Sequence, residues 1–186
     1  IRMQNVECKM KNTLLKKQKE KVRGIFDSLP MPSFKHGLNI HSALDLDIPV
    51  KPSLAPERAP WKLVKQSGSV EVEDLAGASL RPEVGRLMEE GKFLEIKNRI
   101  DAWNILSARD GYYIRLQGEC EAVFEVDTAG ERHDRILVHV MPEARARVVI
   151  RYRGKPRRNA RALQTERLLV ACEEGSRVSA ISLQEG

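Results

Sequence analysis

Cysteine and histidine are the residues of this 186-residue chain best able to hold a metal ion or a cluster, and it has three of the first and four of the second. Cys172 is the one to test first, because Glu173 and Glu174 follow it and a thiolate with a carboxylate can hold iron. Adjacent side chains on a strand point to opposite faces, so Cys172 and Glu173 reach one ion only if the backbone bends between them. The expectation is therefore a buried structural cysteine. Cys120, between Glu119 and Glu121, meets the same objection and is expected to be an ordinary strand or turn residue. His36 and His41 lie five apart in a proline-rich stretch, and His133 and His139 flank a predicted strand. A metal site needs several converging ligands, and the sequence offers neither pair a third, so these histidines are expected at the surface or hydrogen-bonded inside. No residue is assigned to a metal, a cofactor or a catalytic role on this basis.

Other chemistries find even less support. No Gly-x-x-x-x-Gly-Lys-Ser/Thr phosphate loop and no Gly-x-Ser-x-Gly elbow occurs, so the chain is expected to be neither an ATPase nor a serine hydrolase, and not an enzyme at all. Cys8, Cys120 and Cys172 are too widely spaced for a zinc ribbon or a disulfide framework, which fits a reducing compartment. The formal charge of +6 resides in two basic clusters, Lys9 to Lys21 on a predicted helix and Arg151 to Arg161 on a Gly-Pro loop. Tyr152 is the only aromatic residue within them, which is poor provision for stacking on bases, so solvated charge is the expectation. The alternative is a basic binding module for an anionic partner such as nucleic acid, using the Arg151 to Arg161 loop, with neutralisation of Arg157, Arg158 and Arg161 as its test.

The elements that would position these residues fall into two regions, 1–110 and 111–186. With 41% hydrophobic and 31% charged residues the balance is that of a globular protein. No apolar run approaches the roughly 18 residues of a membrane span, and no signal-peptide core opens the chain, so a cytoplasmic location is expected. Val6, Met10, Leu14, Val22, Ile25, Phe26 and Leu29 recur at helical spacing and predict a helix over 6–29, closed by Pro30. Prolines 30, 32, 49, 52, 56 and 60 then leave room only for short extended pieces in a linker or arm. Trp61–Val64 and Ser69–Val72 alternate like two short strands. A helix is predicted from Ser79 to Glu90, with Pro82 late for the first position and Gly91 as the stop. Another is predicted over Phe93–Ala108, with Phe93, Ile96, Ile100, Trp103 and Leu106 or Ser107 as a core stripe.

An Asp110-Gly111 turn marks the change to β structure. Strands are predicted over Tyr112–Leu116, Ala122–Val126, Arg135–Val140, Arg147–Tyr152, Glu166–Ala171 and Arg177–Leu183, with turns at Gly118, Ala129-Gly130, Pro142-Glu143 and Glu174-Gly175. The segments 140–148 and 170–178 superpose thirty positions apart, each reading as strand, polar break and strand. Such a period suggests coils that bury their apolar faces only against one another.

The stretch from Asp101 through Trp103, Asn104, Ala108, Asp110, Gly111 and Tyr113 to Leu116 resembles the SufB/SufD scaffold family of iron–sulfur cluster assembly, as does Arg135–Val148 with its Met-Pro-Glu143 turn. The block Thr165–Val178 is similar to the family's next coil, and Leu29-Pro30 and Trp61-Lys62 are similar to its amino-terminal region. The resemblance spans residues 93–184. It implies a right-handed parallel β-helix preceded by an amino-terminal helical region with a proline-rich arm. It further implies a scaffold that dimerises with itself or as a SufB/SufD-type heterodimer, works with an ABC-type ATPase, and carries an iron–sulfur cluster transiently. The family's core runs on into further coils and an ATPase-docking helical segment that this sequence does not contain. Its cluster residues lie in those coils, so none is carried over. The start at Ile1 and the end just after a strand fit a piece of a longer protein.

Overall fold

The computed structural model describes residues 19–36, 40–43, 61–108, 111–128, 130–154 and 163–185, with the side chains of 33–36, 40–43 and 163 left aside. The described elements, in chain order, are α1 (19–25), β1 (Ser33–His36), β2 (Ile40–Ala43), β3 (Lys62–Asp74), α2 (Leu75–Ala78), α3 (Pro82–Glu90), α4 (Arg99–Ser107), β4 (Tyr112–Thr128), β5 (Glu131–Val140), β6 (Arg145–Gly154), β7 (Leu163–Cys172) and β8 (Arg177–Glu185). The chain divides into two units, one of Ile1–Ala55 with Leu94–Ser107 and one of Pro56–Phe93 with Ala108–Gly186.

In the first unit, α1 runs into a single 3-10 turn, Phe26–Ser28, and the chain is extended again at Leu29. Val22 and Phe26, four apart, are buried as the helical stripe requires. The rest of the predicted helix, 6–18, lies outside the described residues. β1 and β2 form a four-residue antiparallel hairpin within the proline-rich stretch, in keeping with short extended pieces. The helix expected over Phe93–Ala108 begins only at Arg99. Asn98 accepts a hydrogen bond from the Asp101 amide, and the Asp101 carboxylate accepts one from the Lys97 amide, so this cap fixes the start six residues late. Arg99 then ties the turn after α1 in place, its guanidinium donating to the carbonyls of Asp27 and Leu29 and its amide to that of Pro30.

The second unit is built on β4. Its even-numbered residues Ile114, Leu116, Cys120, Ala122, Phe124 and Val126 are all buried in one apolar cluster, a strict two-residue period along a single 17-residue strand. Two strands were predicted there. Gly118, with φ +68°, bends the strand without ending it. The first half of β4 pairs in parallel with β5, and β5 with β7. The second half pairs in parallel with β6, and β6 with β8. One bent strand therefore starts two parallel walls, and the sheet curls. The turns that join the walls stack by backbone bonds: Met141 donates to Leu116, Glu173 to Val140 and Arg177 to Ala144. Inward columns run through successive layers, such as Ile114, Val138 and Val170, or Ala122, Val148 and Ala180.

The layer spacing corrects the sequence reading. Val140 lies beside Cys172 and Arg145 beside Arg177, a repeat of thirty-two residues instead of thirty. A shift of two leaves every side chain on its own face, so hydrophobic alternation cannot tell the two registers apart. The turn conformation can: Glu143 (φ +59°) and Gly175 (φ +70°) are the left-handed residues of successive turns.

Upstream, β3 is one strand of 13 residues and not two short ones, and it lies antiparallel along the whole free side of β4 with irregularities at Leu63/Lys65 and Ser67/Ser69. The strand structure thus includes residues well before Gly111. β3 passes directly into α2, capped by the Asp74 carboxylate accepting from the Gly77 amide, a helix with too few residues to show a periodicity. α3 begins at Pro82 in its first turn and stops at Gly91, so the proline is well placed and the start lies three residues beyond Ser79.

Candidate functional site in the buried polar belt of β5

Every residue of β5 after Glu131 is buried, and Arg132, His133, Asp134, Arg135 and His139 are among them. Charged groups are taken out of water only when paired or hydrogen-bonded. Arg132 grips Asp134 with two bonds, Nε to Oδ2 at 2.6 Å and Nη2 to Oδ1 at 2.9 Å, with both side chains at most 6% exposed. Residues two apart on a strand share a face, which is why this pair can form within one strand. Beside it stands an aromatic group. Trp61 stacks on Tyr112 at 4.3 Å between ring centres and meets Phe124 and Tyr152 at 5.3 and 6.4 Å. Burial pushes the Tyr152 hydroxyl far up from its usual range, with the carboxylates of Asp134 and Glu166 adding to it, so the phenol stays protonated.

On the opposite face of β5 the histidines join successive layers. His139 receives Tyr113 from the first layer at 2.8 Å (hydroxyl to Nδ1) and reaches Glu173 of the third at 2.9 Å (Nε2 to Oε1). Arg81 lies over the Tyr113 ring at 4.8 Å and pairs with Glu73 at 3.2 Å. His133 bridges Thr165 through Nδ1 and Glu131 through Nε2, both at 2.7 Å. Both histidines are therefore hydrogen-bonded inside. Burial holds His133 below the usual imidazole range, Glu131 opposing it. Its unfolded form takes up a proton near pH 6.5 before the folded form does, so stability present above that pH is lost as the pH falls toward the folded value. Urea melts at pH 7.5 and 5.5 are expected to show this loss, and His133→Gln to reduce it. An unchanged slope in the variant would refute the assignment.

The expected metal candidates do not gather. Cys172 ends β7 in the inward column of Leu116 and Val140, yet it is exposed, whereas a buried cysteine was expected; the last layer leaves that end of the column uncovered. Glu173 begins the turn and directs its carboxylate to His139. Cys120 is a buried strand residue whose thiol is pushed up by burial and is correspondingly inert. His36 and His41 stand in register with Ile40 and Lys35 on the hairpin, and Cys8 lies outside the described residues. Among the described residues no three His, Cys, Asp or Glu converge as a metal site, and no helix is long and apolar enough to cross a membrane.

The second basic cluster is described only in part, since 155–162, with Arg157, Arg158 and Arg161, lie outside the described residues. Arg151 and Arg153 pair with Glu125 at 3.7 and 2.7 Å, and Arg153 also with Glu185 at 3.6 Å. A groove that sequence inspection missed lies elsewhere, about 620 Å³ in volume and lined by Glu119, Cys120, Glu121, Arg145, Arg147 and Arg177 among others. Pairing across β4, β6 and β8 brings Glu119, Arg145 and Arg177 into one column from positions far apart in the chain. Lys65 holds the Glu121 carboxyl below its usual range, and Arg147 lies 3.7 Å from it. The sequence matches no protein-family model and no curated protein.

Proposed function

We propose that the chain is a non-catalytic scaffold of iron–sulfur cluster assembly, built on a right-handed parallel β-helix. The observation that carries this is the parallel stacking of strands at a thirty-two-residue register with their turns hydrogen-bonded layer to layer. That arrangement is what the resemblance to the SufB/SufD family leads one to expect of residues 111–186. The cluster is cargo in this reading and not a resident group. A partner is part of what the resemblance to that family implies. The partners are a second subunit, in a homodimer or a SufB/SufD-type heterodimer, and an ABC-type ATPase of the same system.

Tagging the chain in its native host and capturing it under anaerobic conditions should bring down an ABC-type ATPase. Deleting its gene should lower the activity of iron–sulfur enzymes while leaving their protein levels unchanged. No captured ATPase together with unaltered iron–sulfur enzyme activity would overturn the proposal.

A further inference from the structure

We propose that the groove across β4, β6 and β8 binds a dipeptide by its two ends, Arg145 and Arg177 taking the carboxylate and Glu119 the ammonium group. The physical basis of this site is independent of cluster assembly.

The groove follows from strand alternation. Cys120, Ala146 and Val178 face the apolar core, so the residues on either side of each stand on the outer face of the wall. The register then builds two ridges, with Glu119, Arg145 and Arg177 along one and Glu121, Arg147 and Ser179 along the other. Between them lies the groove of about 620 Å³, a volume within the range of small-molecule sites.

The charges on the two ridges are not equally engaged. Glu121 is held by Lys65 and has Arg147 at 3.7 Å, and further along β6 Arg151 and Arg153 share Glu125. Glu119, Arg145 and Arg177 form no ion pair among the described residues. Two guanidinium groups thus stand on neighbouring strands with no counter-charge, an unfavourable arrangement that an anion relieves. Carboxylate is a natural match, because the guanidinium fork meets its two oxygens with parallel N–H bonds. Glu119 at the other end of the ridge repels a simple anion and attracts a cation. A ligand with opposite charges at its two ends satisfies all three side chains.

Length selects within that class. With strands about 4.8 Å apart, the midpoint between the Arg145 and Arg177 strands lies about 7 Å from the Glu119 strand. Two extended residues span about 7 Å, whereas the ammonium and carboxylate of a single amino acid are separated by one carbon and fall short. The charged ends of a dipeptide therefore reach both parts of the ridge.

Blocked peptides provide the test. Titration of the chain with Ala-Ala, followed by calorimetry and by the side-chain Nε–H resonances of Arg145 and Arg177, should saturate in the range of about 1 mM. N-acetyl-Ala-Ala, Ala-Ala amide and alanine should each bind about tenfold more weakly, each having lost a charge-assisted contact. Glu119→Gln should weaken Ala-Ala while leaving the N-acetyl peptide unaffected, and Arg145→Gln or Arg177→Gln should weaken Ala-Ala while leaving the amide unaffected. All three positions are exposed, so thermal melts of the variants should match wild type. The comparison of blocked peptides uses the wild-type chain and stands without them. No saturation by about 10 mM Ala-Ala overturns the proposal, as do blocked peptides or alanine binding as tightly as Ala-Ala, or inorganic phosphate binding more tightly.

Discussion

Asp134→Asn should cost the fold about 3–5 kcal/mol, the amount typical of a buried ion pair that loses one charge. With a total stability of about 5–15 kcal/mol for a domain, this is about a fifth of the whole or more. The reason is the position of the pair, both of whose side chains are at most 6% exposed. The Arg132 guanidinium cannot give up its proton to escape the loss, and Asn offers one carbonyl where the carboxylate offered two charged oxygens. Changing both partners, Arg132→Met with Asp134→Leu, should recover most of the loss, since the double change also removes the cost of desolvating the charges. Urea melts of the three proteins decide the matter. A single variant within 1 kcal/mol of wild type would mean that water reaches the pair.

Gly68→Ala should be the most damaging of the glycine substitutions, by about 2–5 kcal/mol, and Gly118→Ala a mild one at about 1–2 kcal/mol. Both residues have φ +68°, so the conformational strain of an L side chain is shared. What differs is the space. A methyl group on Gly68 would lie against the Glu119 carbonyl oxygen and within 3.0 Å of the Cys120 Cα and Cβ, all of it belonging to the paired strand, whereas at Gly118 nothing comes within 4 Å. Backbone cannot swing aside as a side chain can, so the clash must be relieved by separating β3 from β4. Thermal melts of the two variants give the comparison, and equal losses would show that the strands part more readily than their pairing suggests.

Much of the second unit was legible because a two-residue period survives in the residue types. Ile114 to Val126 and Ile136 to Val140 put their apolar side chains on one face, and the strands were found wherever that alternation held. β3 was split in two because its alternation is broken at the irregularity beside Val64 and at Gly68, while its true continuity rests on hydrogen bonds to β4 that no local pattern encodes. The layer repeat was misread by two residues for a related reason: Glu143 with Glu173 and Arg147 with Arg177 are matches of type, while the actual partners, Glu143 with Gly175, share only a backbone conformation. The start of α4 was lost to a cap in which Asn98 and Asp101 outweigh the apolar stripe that begins at Phe93. In the site, His133 and His139 were expected at the surface or hydrogen-bonded inside, and it is the second that is found. Their partners Tyr113, Glu173 and Thr165 come from neighbouring layers, and a spacing that is invisible until the register is known cannot name them. The Arg132–Asp134 pair is adjacent in sequence, but an Arg-x-Asp on a strand is commonplace, and only the burial of β5 sets it apart.

Because β4 supplies the backbone for both walls, neither wall is a separable module. Stripping away β7 or β8 removes one neighbour from a strand that keeps another, whereas opening β4 disconnects β3, β5 and β6 in a single event. Such an architecture comes apart from the rim inward and keeps its keystone until last, so fluctuations at the outer layers can be frequent without endangering the centre.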